Sequence, residues 1–173
     1  MMKLQYYIQE LRRNKEIFTQ IFSSIDEELR HWKKQEENWS NLEVLCHLLD
    51  EEREDFRLRL QSLWNDPEAD FIPIDPANWP SLRKYSEQDF DHTLAGFLEE
   101  RDNSIAFLEE LDEEDARWKN IKHHEQLGEL SPEFYLHNWL AHDLLHIRQL
   151  TRIRYDYVSA MSLLSVDYAG TWK

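Results

Sequence analysis

The prolines of this chain fall between stretches of helical period or at the start of one, and that placement constrains the fold more than any other feature. A proline inside a helix removes a hydrogen bond and clashes with the preceding turn. The chain has only three glycines and five prolines in 173 residues. Leu, Glu, Gln, Arg and Lys, which lose little on entering a helix, are abundant. The expectation is an all-α protein.

The apolar stripes give the helices in order. Leu4, Tyr7, Ile8, Leu11, Phe18, Ile21, Phe22, Ile25 and Leu29 recur with helical period, predicting a first helix to about residue 30. Ser40-Asn-Leu-Glu43 has the form of a capping box and starts a second helix near Asn41, running to about Trp64. Residues 65–85 carry Pro67, Pro73, Pro76 and Pro80 and predict a long irregular connection, which either crosses a bundle end or lines a functional site. Ser86-Glu-Gln-Asp89 opens a third helix with the stripe Phe90, Leu94, Phe97, Ile105, Leu108 and Leu111, interrupted by Arg101. A second irregular stretch runs from about Asp112 to Leu130. Ser131-Pro132-Glu133 then gives the last helix an N-cap with proline at N1, and that helix reaches about Tyr155. The tail, with Met161, Leu163 and Leu164, is expected to pack on the bundle. No internal repeat or low-complexity segment is present.

Charge and size narrow the function. The length suits one domain over residues 1–173, large enough to bury a core without disulfides. Thirty-five acidic against twenty basic side chains give a formal net charge of −15, which argues against nucleic-acid and anionic-membrane partners and for small molecules or proteins. The lone cysteine, Cys46, excludes an intramolecular disulfide, and the charged N-terminal stretch lacks the apolar run of a signal peptide. No segment approaches the roughly 20 apolar residues of a membrane span. A cytoplasmic protein is expected.

The chemistry concentrates in Trp139-Leu-Ala-His-Asp-Leu-Leu-His146. Histidines four apart on a helix lie about 5–6 Å from each other at Cβ and can converge on one ion at about 2.0–2.1 Å each. His146 shares a face with Tyr135, Trp139, Asp143, Leu150 and Ile153, and His142 lies at its edge, so both imidazoles point into the bundle. There each must satisfy its nitrogens, by a shared cation or by hydrogen bonds in the core. A third ligand comes from His31, His47, His92, His123 or His124; His137 lies on the far side of its helix and is excluded. His47 leads this group, because it sits in a well-capped helix with Asp50 three residues on to orient its ring. Against it, the stripe Leu42, Leu45, Leu49, Phe56, Leu60 and Leu63 lies nearly opposite, so periodicity alone turns His47 to solvent unless its helix is contacted on two sides.

Trp39-Ser40 opening a helix, His47 inside it, and a late helix with His142-Asp-Leu-Leu-His146 together resemble the DinB/YfiT-like superfamily of metal-dependent enzymes. The likeness spans most of the chain. It implies a four-helix bundle with a long crossover between helices 2 and 3, a zinc or nickel site made by His47, His142 and His146, and often a homodimer. It also implies a thiol S-transferase using a low-molecular-weight thiol such as bacillithiol, mycothiol or glutathione on small electrophiles. Three neutral nitrogens leave an open position where a thiol is held as thiolate or water is acidified, so a hydrolase is an alternative, as is a non-catalytic metal-binding or stress-related interaction module.

Two further residues are catalytic candidates. Arg101 can clamp a substrate carboxylate, or else form an internal salt bridge to Glu43, Glu51, Glu54 or Asp143. Asp143 can hydrogen-bond a ligand imidazole or a bound water, or else is a solvated acid. His123 and His124 read as surface imidazoles and Cys46 as a small core residue. Trp79, Tyr85 and Trp118 either wall a pocket or cover the bundle end. A peptidase reading of His-Asp-Leu-Leu-His fails, since Asp143 stands where glutamate is needed and no histidine follows His146. A di-iron bundle fails for want of a second Glu-x-x-His element.

Overall fold

The computed structural model describes residues 3–170 and Trp172. Four long helical arms form the bundle. The first is α1 (Leu4–Ser23) with a short α2 (Glu27–His31); the second is α3 (Asn41–Glu54) with α4 (Phe56–Asn65); α6 (Phe90–Glu109) and α7 (Pro132–Met161) complete it. A short α5 (Trp79–Leu82) lies in the crossover between the second and third arms. Among the described residues no helix is long and apolar enough to cross a membrane.

The arms form where the stripes lie, but two of them break. The first expected helix stops at Ser24, whose hydroxyl donates to the Ile21 carbonyl, and restarts at Asp26, whose carboxylate accepts from the Leu29 amide. Side chains that bond nearby backbone compete with helix continuation. Ile25 and Leu29 remain buried, so the stripe persists through the break. The second expected helix breaks at Asp55, where the backbone leaves the helical region. The break redirects the arm: α3 packs on α6, while α4 packs on α7. Gly96 on α6 faces Leu49 and Arg53 of α3, where a Cβ would stand in ordinary contact with their side chains at 3.4–3.5 Å.

The two connections are more ordered than expected. The crossover contains α5, with Pro80 in its first turn, and a 3-10 turn at Tyr85–Glu87. Asp89, the last residue of the expected opening motif, caps α6 by accepting from the His92 amide. The second stretch holds a 3-10 turn at Ala116–Lys119 and a two-stranded hairpin, β1 (Lys122–His124) and β2 (Gly128–Leu130), with His124 opposite Gly128. Gly128 has φ 77, a left-handed conformation that glycine adopts without strain. The last helix continues six residues past Tyr155 to Met161. The tail does not pack as expected: Leu163 is 104 % and Leu164 80 % exposed. Further along the tail Trp172 does return to α7, its ring centroid 5.4 Å from that of Tyr155.

Two apolar clusters fill the bundle. One gathers around Phe18, Phe22, Leu45 and Phe97, the other around Ile8, Leu11, Leu60 and Trp139. A polar layer with residues from all four arms lies in the same core. Arg101, 1 % exposed, donates from both Nη atoms to Asp143 at 2.7–2.8 Å and from Nε to Glu52 at 2.8 Å. Asn14 donates to Asp143, while Ser104 and the Trp139 indole donate to Glu52.

Candidate metal centre

Residues 41–52 of α3 are all buried, so the helix has no solvent face. It is enclosed by α2, α5, the Tyr85 turn, α6 and α7. This enclosure answers the objection that periodicity raises to His47. The side that reads as polar in sequence is covered by the crossover and by α7, and His47 there is 7 % exposed. Each acid on that side needs a partner. Glu43 accepts from Lys33 and from the Ser40 amide, and Asp50 accepts from the Tyr85 hydroxyl at 2.5 Å and pairs with Arg83.

His47 meets His142 and His146 on α7. The Nε2 atoms of His47 and His142 are 3.2 Å apart and those of His142 and His146 are 3.0 Å apart. Donor atoms of all three residues lie within 4.8 Å of one another. Nitrogens held about 2.0–2.1 Å from one ion, at angles between octahedral and tetrahedral, stand about 2.9–3.4 Å apart, and both of these measured pairs fall in that range. Protons alone serve the set poorly. His142 Nε2 carries either one N–H or one lone pair, so it makes one good hydrogen bond and leaves the other of its two short contacts without one. The Nδ1–H of His146 donates to Gln149 Oε1 at 2.8 Å, which directs the Nε2 lone pair of His146 into the cluster.

Burial holds the rings neutral. It pushes His47 down to about 3 and His142 to about 2, helped by the neighbouring imidazoles, and lowers His146 as well. Neutral imidazole is the form that ligates. The cluster is walled by aromatic rings, with Trp39 5.1 Å from His47, Trp79 6.4 Å from His47 and Phe56 5.1 Å from His142 between centroids. His142 also lines a groove of about 960 Å³ between α4, residues 70–74, the hairpin and the first half of α7. Its walls include Phe71, Ile74, Phe134, Tyr135 and Leu145.

Several expected roles change. Asp50 does not orient His47, because Tyr85 and Arg83 arrive from the crossover and engage it. Glu51, one turn further along α3, has Oε1 3.9 Å from His47 Nδ1, and that Nδ1 is buried with no hydrogen-bond partner. Burial and the adjoining Asp55 push the Glu51 carboxyl up to about 8. Of the two roles open to Arg101, it takes the internal salt bridge to Asp143, joined by Glu52 and the Leu11 carbonyl, and so is not placed to clamp a substrate. Asp143 is fully buried against Arg101 and Asn14, neither solvated nor bonded to an imidazole.

The remaining histidines stay apart from the cluster. His137 is bonded to the Tyr7 hydroxyl, and His123 and His124 are exposed on the hairpin. Cys46 is buried with its thiol donating to the Tyr85 carbonyl, and burial pushes the thiol up to about 12. Trp118 packs on Trp64 in the other apolar cluster. Glu52 and Gln149 escape a reading of the sequence, although Glu52 falls within the stripe Leu45-Leu49-Phe56 and Gln149 stands three residues after His146, each a helical-face signal; Glu51 is read there only as a partner for Arg101, not for His47.

The fold is a four-helix bundle in which one histidine from the second arm meets an i,i+4 pair from the last, a set that could hold a metal ion. The chain belongs to the DinB superfamily, whose family model matches residues 10–150. Among solved structures it is similar to YfiT from Bacillus subtilis, described as a probable metal-dependent hydrolase with an unusual four-helix bundle topology. The match has 20 % identity and a TM-score of 0.74, covering 87 % of this chain and 85 % of that one, and it establishes the fold. No curated protein matches the chain at a significant level.

Proposed function

We propose that the protein is a cytoplasmic, metal-dependent enzyme that joins a low-molecular-weight thiol to a small electrophile, with His47, His142 and His146 holding zinc or nickel. The observation that carries the proposal is the convergence of three Nε2 atoms at the edge of a mostly apolar groove large enough for a small substrate. A divalent ion on three neutral imidazoles keeps a position open and lowers the pKa of the thiol or water that takes it. The chain's own residues supply the rest. Gln149 fixes the His146 tautomer, Phe56 and Trp39 shield the rings from bulk water, and the apolar walls favour an uncharged carbon electrophile. In the overall reaction an S–C bond forms, the thiol proton passes to solvent, and any leaving group departs with its electron pair.

Hydrolysis is the second reading, favoured by the description of YfiT. The two differ in what binds at the open position. Cobalt-substituted protein is expected to change its visible spectrum when bacillithiol or glutathione is added, and the zinc or nickel form to conjugate these thiols to a panel of electrophiles. A cobalt spectrum indifferent to every thiol, with turnover of esters or amides instead, would establish the hydrolase.

A further inference from the structure

One wall of the groove beside His142 is made by the hairpin, which supplies Lys122, His124, Leu127 and Leu130. Side chains on a strand alternate between its two faces, so Lys122 and His124, two apart on β1, share one face and His123 takes the other. The shared face is the one turned to the groove, since both residues line it. Opposite His124 on β2 stands Gly128, which has no side chain to cover the ring.

The His124 ring is fixed at one end and free at the other. Its Nδ1 accepts from the Gln126 and Leu127 amides, each at 3.2 Å. Backbone amides only donate, so Nδ1 keeps its lone pair and the proton of the neutral ring sits on Nε2, at the far side of the ring from the turn. Among the described residues no group accepts from that Nε2–H. The cationic side chains of the groove and Asn138 hold its walls instead. Arg59 pairs with Asp55 and lies 5.0 Å from the Phe71 centroid, Lys122 donates to the Ala69 carbonyl at 2.8 Å, and Asn138 Nδ2 donates to the Phe134 carbonyl at 2.8 Å. A donor that is oriented by the backbone, yet has no acceptor in the protein, suits an oxygen of a molecule bound in the groove.

We propose that His124 Nε2–H binds a carbonyl oxygen of the compound in the groove, and that the electrophile is an alkene conjugated to that carbonyl. The inference rests on the thiol-transfer reading and names the substrate class of the same site. The sulfur forms its bond to the β carbon, the alkene π pair moves into the bond beside the carbonyl, and the carbonyl π pair moves onto the oxygen that His124 holds. The α carbon then takes one proton from solvent, matching the one that the thiol released, so no oxidant or reductant enters. A fixed donor contributes most where negative charge develops as the bond forms.

The test uses zinc-loaded protein, glutathione and two variants that separate the ends of the ring. His124→Asn keeps an oxygen for the Gln126 and Leu127 amides but is too short to present a donor to the groove. His124→Gln gives up the turn contact and carries an amide N–H to about the place of Nε2. His124→Asn is expected to lower kcat/KM for benzylideneacetone by at least about tenfold, and far less for benzyl chloride, which has no oxygen. His124→Gln is expected to restore most of the benzylideneacetone rate. Equal losses on the two electrophiles, or failure of His124→Gln to restore the rate, overturn the proposal. A second measurement needs no thiol. In long-range proton–nitrogen correlation spectra of the imidazoles, the saturated ketone benzylacetone is expected to shift His124 Nε2, and to bind His124→Asn about threefold or more weakly. An Nε2 unmoved by the ketone at millimolar concentration overturns the proposal. Benzylideneacetone turnover that His124→Asn leaves unchanged overturns the role of His124 and leaves thiol transfer standing. A ketone that shifts Nε2 in protein that conjugates neither electrophile upholds the carbonyl donor and overturns thiol transfer.

Discussion

His47 is the residue on which the centre turns, because it alone comes from outside α7 and its outer nitrogen is buried without a partner. A ligand imidazole binds best when its other ring nitrogen donates to an acceptor that fixes its orientation. Glu51 stands 3.9 Å away on the same helix, within reach of a small ring rotation. Glu51→Ala is therefore expected to weaken zinc binding by about 10–100-fold in a competition titration with a chelating dye. Asp50→Asn, which alters the contact with Tyr85, is expected to leave zinc affinity unchanged. Equal affinities for wild type and Glu51→Ala would remove Glu51 from the site. The sequence shows that an acid follows His47 at helical spacing, but Asp50 and Glu51 are adjacent and both qualify. Only the arrival of Tyr85 and Arg83 from the crossover decides between them.

At the scale of the element, α3 depends on its N-terminus. Ser40 Oγ accepts from the Glu43 amide at 3.3 Å, and Glu43 returns a carboxylate oxygen to the Ser40 amide at 2.8 Å. Ser40→Ala removes one half of this reciprocal cap and is expected to cost about 0.5–2 kcal/mol, read as a lower thermal midpoint. An unchanged midpoint would mean that the buried flanks of α3 hold the helix start unaided. The caps at Ser40 and Ser131 and the stripes of α1, α6 and α7 are legible in sequence because each is a local pattern. The breaks at Ser24 and Asp55 are not, since the apolar period runs through both. The inward turn of His47 is equally hidden: a helix covered on every side has no polar face for periodicity to find. The histidine pair on α7 was readable because both rings lie on or beside a conventional stripe, whereas the third needed the family resemblance.

The whole molecule is tied together by the Arg101 layer, which links Asn14, Glu52, Ser104 and Asp143 across all four arms. One cation meets two carboxylates out of water, and such a group destabilises strongly when only one member is removed. Arg101→Met is expected to cost about 3–5 kcal/mol in urea unfolding, and joint replacement of Arg101, Glu52 and Asp143 by apolar residues to recover part of that loss. A cost below about 1 kcal/mol would show that the layer contributes little beyond packing. Because Asp143 adjoins His142 in this layer, the network also fixes the register of α7 against α3, and with it the meeting of the three imidazoles.

That meeting is tested most directly by X-ray absorption at the zinc edge of protein carrying one equivalent of zinc. The expected shell contains three imidazole nitrogens at about 2.0–2.1 Å and one or two light atoms from solvent, and His47→Ala should reduce the imidazole count by one. A shell dominated by carboxylate oxygens, or one that His47→Ala leaves unchanged, would contradict the account.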